Sequence, residues 1–131
     1  MKTRNEVIEM LELGAKIQGS EHDLKSHLQI AIRELDLEFV DALLGYGIDP
    51  NPDEALDDPL HFLYHEYLAV KSTKGEAILS LFAKLLAHGV DPNRPWANNW
   101  RAYDYAKREG VGEIVGLLER YGADPQIREY I

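Results

Sequence analysis

The chain has 131 residues, of which 45% are hydrophobic and 28% charged, a composition ordinary for one globular domain that buries its own core. It contains no cysteine, which excludes disulfides, thiolate catalysis and cysteine-ligated metals. The formal net charge of −9 disfavours general nucleic-acid binding and favours encounter with basic partners, although acidity can also serve solubility alone.

The first predicted element is an amphipathic helix that starts close to Met1 and carries acidic residues. It lacks the continuous apolar core of a signal peptide, and no run in the chain is long and apolar enough to span a bilayer. We therefore expect no membrane association and a cytoplasmic location.

Four segments along the chain share one helical pattern that ends in glycine, at Gly14, Gly47, Gly89 and Gly122. The seventh and fourth positions before each glycine are apolar, and this spacing of three places both on one helical face. The eight core residues predicted in this way are Val7, Met10, Val40, Leu43, Phe82, Leu85, Val115 and Leu118. Glycine suits the end of each helix because it adopts the left-handed conformation without a Cβ clash.

Three of these glycines are followed, after one small or aliphatic residue, by Asp-Pro, at Asp49-Pro50, Asp91-Pro92 and Asp124-Pro125. Proline prevents the helix from resuming, so we expect the chain to leave as an extended loop. The glycines lie 33, 42 and 33 residues apart. A 33-residue unit of two helices and a protruding turn is the ankyrin period.

Short motifs make this resemblance specific. Gly47-Ile48-Asp49-Pro50-Asn51 and Gly89-Val90-Asp91-Pro92-Asn93 resemble the ankyrin signature Gly-Ala-Asp-Pro-Asn. Asp58-Pro59-Leu60-His61 resembles Thr-Pro-Leu-His, with aspartate as a competent N-cap, and Ala102–Lys107 and Ser26–Ala31 resemble the same first helix. The resemblance covers nearly the whole chain. It implies an all-α ankyrin-repeat solenoid of stacked antiparallel helix pairs, with about three full repeats plus an N-terminal helix.

We expect one domain. An insertion near 70–76 accounts for the 42-residue spacing between Gly47 and Gly89. We interpret this insertion as a longer, basic loop between lengthened helices, either a second contact site or a tolerated loop. Glu6 and Glu119 replace apolar residues of the other copies, which indicates polar ends to the stack. The expected units are 1–20 as an N-terminal cap helix, 21–53 as a repeat, 54–95 as the repeat with the insertion, and 96–131 as a C-terminal capping repeat.

The resemblance implies that the protruding turns and the first helices form a concave protein-binding face. One turn, 52–58, carries four acids, and the next, 94–100, carries both tryptophans, with Asn98-Asn99 suited to its tip. We expect one tryptophan to face a partner, the alternative being that it folds back over the solenoid. The candidate protein-binding residues are Asp53, Glu54, Asp57, Asp58, His65, Glu66, Trp96, Trp100 and Arg108.

Catalytic and metal sites have little support in the sequence. His61 and His65 have the spacing of a metal-binding pair, but Glu66 does not stand where the zincin motif requires it. The resemblance implies a structural role for His61. The acids of 52–58 share one turn instead of facing each other across a cleft, and no P-loop or nucleophile elbow occurs. We expect no enzyme activity, no cofactor and no bound metal.

A short, acidic ankyrin-type module is expected to act by occupying a partner, and to be a monomer when free. The leading interpretation is an immunity or inhibitor protein that neutralises a cognate toxin or enzyme with a basic cleft. One alternative is a non-inhibitory adaptor or regulator of protein interactions. Another, from a different class, is a metal-dependent hydrolase that uses His61, His65 and Glu66.

Overall fold

The computed structural model of the chain describes residues 4–12, 21–51, 58–96 and 99–126. Within these ranges the chain forms six α-helices and no β-strand, so the all-α prediction is confirmed. None of these helices is long and apolar enough to cross a membrane. In chain order they are α1 (Arg4–Glu12), α2 (Glu21–Arg33), α3 (Leu37–Tyr46), α4 (Pro59–Ala87), α5 (Ala102–Glu109) and α6 (Gly112–Arg120).

The chain divides into two compact units, Met1–Pro50 and Asn51–Ile131. In the first unit, α1 and α2 both pack on α3. Asp36 caps α3 by accepting a hydrogen bond from the Phe39 N–H at 3.3 Å, and the Arg4 guanidinium donates to both carboxylate oxygens of Asp36. The Arg4 hydrogen bond holds the pKa of Asp36 below its ordinary value. This contact ties α1 to the start of α3.

In the second unit α4 packs on both α5 and α6, and α5 packs on α6. Across the chain, seven of the eight core residues predicted from the glycine pattern are buried, and Met10 is half-buried. The helical periodicity therefore identified the buried face correctly in α1, α3, α6 and the second half of α4. The seven buried residues are Val7, Val40, Leu43, Phe82, Leu85, Val115 and Leu118.

We predicted that a glycine in the left-handed conformation ends each helix, and this is confirmed at three of the four glycines. Gly47, Gly89 and Gly122 have φ of 106°, 103° and 96°, and Gly14 lies outside the described residues. Each of the three N–H groups bonds back to a carbonyl of the preceding helix, at 3.1 to 3.2 Å. The backbone at these positions favours glycine because an L side chain is strained there.

Two glycines near α6 provide a matched test of this point. Replacing Gly122 with alanine should lower the free energy of unfolding by about 1–2 kcal/mol, because φ is 96° there. Replacing Gly116, which lies within α6, should raise it by about 0.5–1 kcal/mol, because alanine is the better helix former. An added Cβ meets nothing within 4 Å at either position. Urea unfolding measures both, and equal signs would contradict this account.

The asparagine of each Gly-x-Asp-Pro-Asn motif makes the same pair of hydrogen bonds to the next motif along the chain. The Asn51 side chain donates to the Gly89 carbonyl at 3.0 Å and accepts from the Asp91 N–H at 3.1 Å. Asn93 likewise donates to the Gly122 carbonyl at 3.2 Å and accepts from the N–H of Asp124 at 2.7 Å. The recurrence of this contact, despite spacings of 42 and 33 residues, shows that the motifs are structurally equivalent.

Replacing Asn93 with alanine should therefore cost about 1–3 kcal/mol of unfolding free energy. The change removes both bridging hydrogen bonds and a third one from the Arg101 guanidinium at 2.7 Å. Chemical denaturation checks the value. Ser72→Ala, at an exposed helical position of the same unit, is the control and should change the unfolding free energy by less than about 0.5 kcal/mol. Equal effects of the two variants would show that the bridge contributes nothing.

The prediction of a loop near 70–76 is wrong. Residues 59–87 form one helix, α4, in which Val70 alone has non-helical angles (φ −130°, ψ 22°). Gly75 stays helical, and a Cβ there would meet the Tyr67 ring and the Lys71 side chain at 3.5 Å. Because the segment contains no proline, the extra residues continue the helix beyond a kink at Val70.

Candidate functional site

The first residue of the candidate site along the chain is Asp58, which lies at the N-terminus of α4. One carboxylate oxygen accepts from the Leu60 N–H at 2.9 Å, which confirms the predicted N-cap. The other oxygen accepts from the Trp96 indole N–H at 3.2 Å, and the residue is only 2% exposed. Burial raises the pKa of Asp58, although the nearby charge of Arg94 and these hydrogen bonds partly oppose the rise. Asp58 is therefore a buried anchor and not a surface charge.

The segment 94–100 folds back on itself. The Trp96 N–H donates to the Trp100 carbonyl at 2.7 Å, and the Asn99 N–H donates to the Trp96 carbonyl at 2.8 Å. Asn99 has φ of 68°, as expected for asparagine at the tip, while Asn98 lies outside the described residues. These two hydrogen bonds join Trp96 to Asn99 and Trp100.

Both tryptophans are buried, with exposures of 6% for Trp96 and 9% for Trp100. The expectation that one of them faces a partner is wrong. The rings fold back instead, Trp96 against His61 of α4 and both tryptophans against Tyr105 of α5. Burial of Trp96 is favoured because its indole covers the surface of neighbouring helices while its N–H donates to Asp58.

Trp96 lies at the centre of a set of ring contacts that we call the aromatic cluster. Its indole stacks on Tyr105 of α5, with centroids 5.0 Å apart and planes 23° apart, and meets His61 edge to face at 4.4 Å. Such offset and perpendicular arrangements are the favourable geometries for aromatic pairs. The cluster comprises His61, Tyr64, His65, Trp96, Trp100 and Tyr105.

Charged side chains of α5 border the cluster. The Arg108 guanidinium lies over the Trp100 ring, 5.3 Å from its centroid, in a cation–π contact. The Tyr64 hydroxyl donates to the Glu109 carboxylate, and burial is the main cause of the raised pKa of this tyrosine. Arg108, Glu109 and His65 are exposed at this edge. The cluster therefore presents a polar rim over a packed aromatic base.

The structure brings together five of the nine candidate site residues in the cluster and its border: Asp58, His65, Trp96, Trp100 and Arg108. Glu66 lies half-buried on α4. Asp53, Glu54 and Asp57 lie outside the described residues, so their role stays a prediction.

Tyr64 and Tyr105 were not singled out from the sequence, although both belong to the cluster. Helical spacing offered a signal, because Tyr105 lies three and four residues before Arg108 and Glu109 and thus on their face of α5. Which rings meet across α4, α5 and the 94–100 segment depends on tertiary packing. Spacing alone could not show it.

Beside the cluster, Arg101 and Asp104 form a buried ion pair at 3.0 Å, with 1% and 0% side-chain exposure. The Arg101 guanidinium also donates to the Asn93 side chain and to the carbonyls of Asp124 and Gln126. Asp104 in turn accepts from the Arg101 N–H at 2.8 Å, at the start of α5. This pair joins the end of the 94–100 segment to α5 and to the last described turn.

The polar side chains at this site are imidazoles, carboxylates and an arginine. In the ranges that the structure describes, no group of three or more His, Asp or Glu side chains is placed to hold a metal ion. The rings of His61 and His65 meet each other edge to face at 4.7 Å, and burial together with the charge of His65 lowers the pKa of His61.

Comparisons with protein-family models, with curated proteins and with solved structures found no match to this chain.

Proposed function

We propose that the chain is an ankyrin-type repeat protein, a solenoid of stacked helix pairs, that acts by binding another protein. Two observations support the repeat type. The Gly-x-Asp-Pro-Asn motif recurs with left-handed glycines, and each of its asparagines bridges to the following motif in the same way. Repeats of this kind share one core with their neighbours and act through extended surfaces.

The observation that carries the binding proposal is the polar rim over the aromatic cluster. His65 and Arg108 are exposed there, and Leu68, three residues after His65 on α4, is 38% exposed. Arginine and aromatic side chains are over-represented where binding energy concentrates. The rings beneath are already packed, so little side-chain freedom is lost when a partner docks.

The leading form of this proposal is inhibition. A net charge of −9 steers the chain towards basic surfaces, and a basic cleft of a toxin or enzyme is a surface whose occupation blocks activity. Such an immunity or inhibitor protein acts in the cytoplasm, where its cognate partner would otherwise do harm. A non-inhibitory adaptor is the alternative, and it would use the same rim.

Capture of the partner from the native cell, followed by an activity measurement, separates the two. We expect the captured protein to lose its activity when it is saturated with this chain. A partner that stays fully active at saturation would exclude inhibition and favour the adaptor. Loss of binding in a His65→Ala, Arg108→Ala double variant would tie either outcome to the rim.

The acidic turn gives a separate kinetic prediction. Asp53→Asn, Glu54→Gln and Asp57→Asn together should slow association by about threefold to tenfold at low salt and flatten its salt dependence. Asp58 is left unchanged because it is buried and holds Trp96. Stopped-flow or biosensor association rates at several salt concentrations provide the measurement. An unchanged rate would mean that these acids serve solubility alone.

A further inference from the structure

His61 and His65 place two titratable rings at the base of the rim. Their centroids are 4.7 Å apart with planes at 79°, and the His61 ring also meets Trp96 at 4.4 Å and 87°. His61 is half-buried, whereas His65 is exposed. Imidazole is the side chain whose ordinary charge change falls near neutral pH. A proton taken up by His61 therefore places a positive charge in direct contact with the Trp96 indole.

The charged groups around the two histidines have both signs. Asp58 already uses its carboxylate oxygens on Leu60 and Trp96, and Glu109 accepts the Tyr64 hydroxyl. Tyr64 stays neutral in this pH range, because burial raises its pKa. Other charged groups on these elements include Glu66 on α4, Arg94 before Trp96, Arg108 on α5 and Glu113 on α6. The two cations oppose protonation of a histidine, and the two carboxylates favour it.

Two effects of opposite sign act on His61. A cation–π contact with Trp96 would favour the charged ring. Burial and the neighbouring His65 favour the neutral ring, and they prevail, because the pKa of His61 is lowered from its ordinary value of 6.5. The packed state of the cluster is thus the state with His61 neutral.

We propose that His61 makes the rim responsive to pH, so that acidification below about pH 6.5 charges its ring and loosens Trp96 from α4. This inference concerns the regulation of the proposed binding site and rests on the proposed function for its biological consequence. The sign follows from linkage. Because His61 has a lower pKa in the folded chain than in the unfolded one, its contribution to stability is complete above about pH 6.5 and is lost as the pH falls through the folded value.

NMR titration of the free protein tests the proposal without any partner. We expect the His61 imidazole to titrate below pH 6.5, and the Trp96 indole N–H resonance to move with the same midpoint. Tryptophan emission should shift to longer wavelength over the same range as the indoles gain water. Failure to capture a partner would contradict the proposed function and leave this titration unaffected.

Three variants sharpen the test. His61→Gln should abolish the Trp96 titration step, and His65→Gln should move the His61 midpoint upwards, because a like charge is removed. His88→Gln, at an exposed site at the end of the same helix, should leave both unchanged. A His61 titration midpoint at or above pH 6.5 would overturn the proposal. A Trp96 signal that stays constant while His61 titrates would also overturn it. This holds even if His61→Gln fails to fold, because the wild-type midpoints remain measurable.

Discussion

Replacing Asp104 with alanine should lower the free energy of unfolding by about 3–5 kcal/mol, because it leaves the Arg101 guanidinium charged and buried without its counterion. Arg101 is 1% exposed and makes further hydrogen bonds to Asn93 and to two carbonyls, so it does not reach water by a simple rotation. The same variant removes the acceptor for the Arg101 N–H at the start of α5. Urea unfolding at neutral pH measures the change.

Glu76→Ala provides the control, since it removes a carboxylate from an exposed position of α4 in the same unit. It should change the unfolding free energy by less than about 0.5 kcal/mol. If Asp104→Ala proved as mild as Glu76→Ala, the pair would not be buried in solution, and the packing of α5 described above would be incorrect.

The second large effect is expected at Trp96. Replacement with alanine should cost about 3–5 kcal/mol, as large-to-small changes of buried aromatic residues do. Trp96→Phe keeps most of the ring but removes the N–H that bonds Asp58, and should cost about 1–3 kcal/mol. Denaturation of both variants beside the wild type checks the order.

The pH dependence of Trp96→Phe distinguishes a lost hydrogen bond from lost packing. Because burial raises the pKa of Asp58 in the folded chain, its charge costs stability above that pKa, and the cost is relieved as the pH falls through it. The variant removes a donor to the charged form, so its penalty should shrink in acid. A penalty independent of pH would assign the whole effect to packing.

The helices and their buried faces could be predicted because the signals are local. Glycine at a left-handed helix end, proline after it and apolar residues spaced by three act within one turn of chain, and Gly47, Gly89 and Leu43 are placed as these signals require. The N-cap role of Asp58 is equally local.

The rest depends on residues far apart in the chain. Asp58 and Trp96 meet across 38 positions, and the environment that buries both tryptophans is built by α4 and α5 together. The tryptophan residue type predicted an exposed binding side chain, whereas tertiary packing buries both tryptophans. The loop predicted near 70–76 failed for another reason: glycine and serine weaken a helix without ending it, and the segment stays helical past a kink at Val70.

The burial of both tryptophans changes which residues of the site can contact a partner. The tryptophans form the buried base of the site. The exposed side chains are those around them, above all His65 and Arg108. The acidic turn and the tryptophan segment were predicted as separate contacts. At their base they are joined by the hydrogen bond between Asp58 and Trp96.

The most direct test of the central claim is the affinity of the captured partner for the rim. Biosensor titrations should compare the wild type with the His65→Ala, Arg108→Ala double variant and with Lys74→Ala, which removes one exposed positive charge from α4 beyond the kink. We predict that the double variant binds at least about tenfold more weakly while its fold and stability persist, and that Lys74→Ala binds as the wild type does. Equal affinity of all three proteins would show that this rim is not where the chain holds its partner.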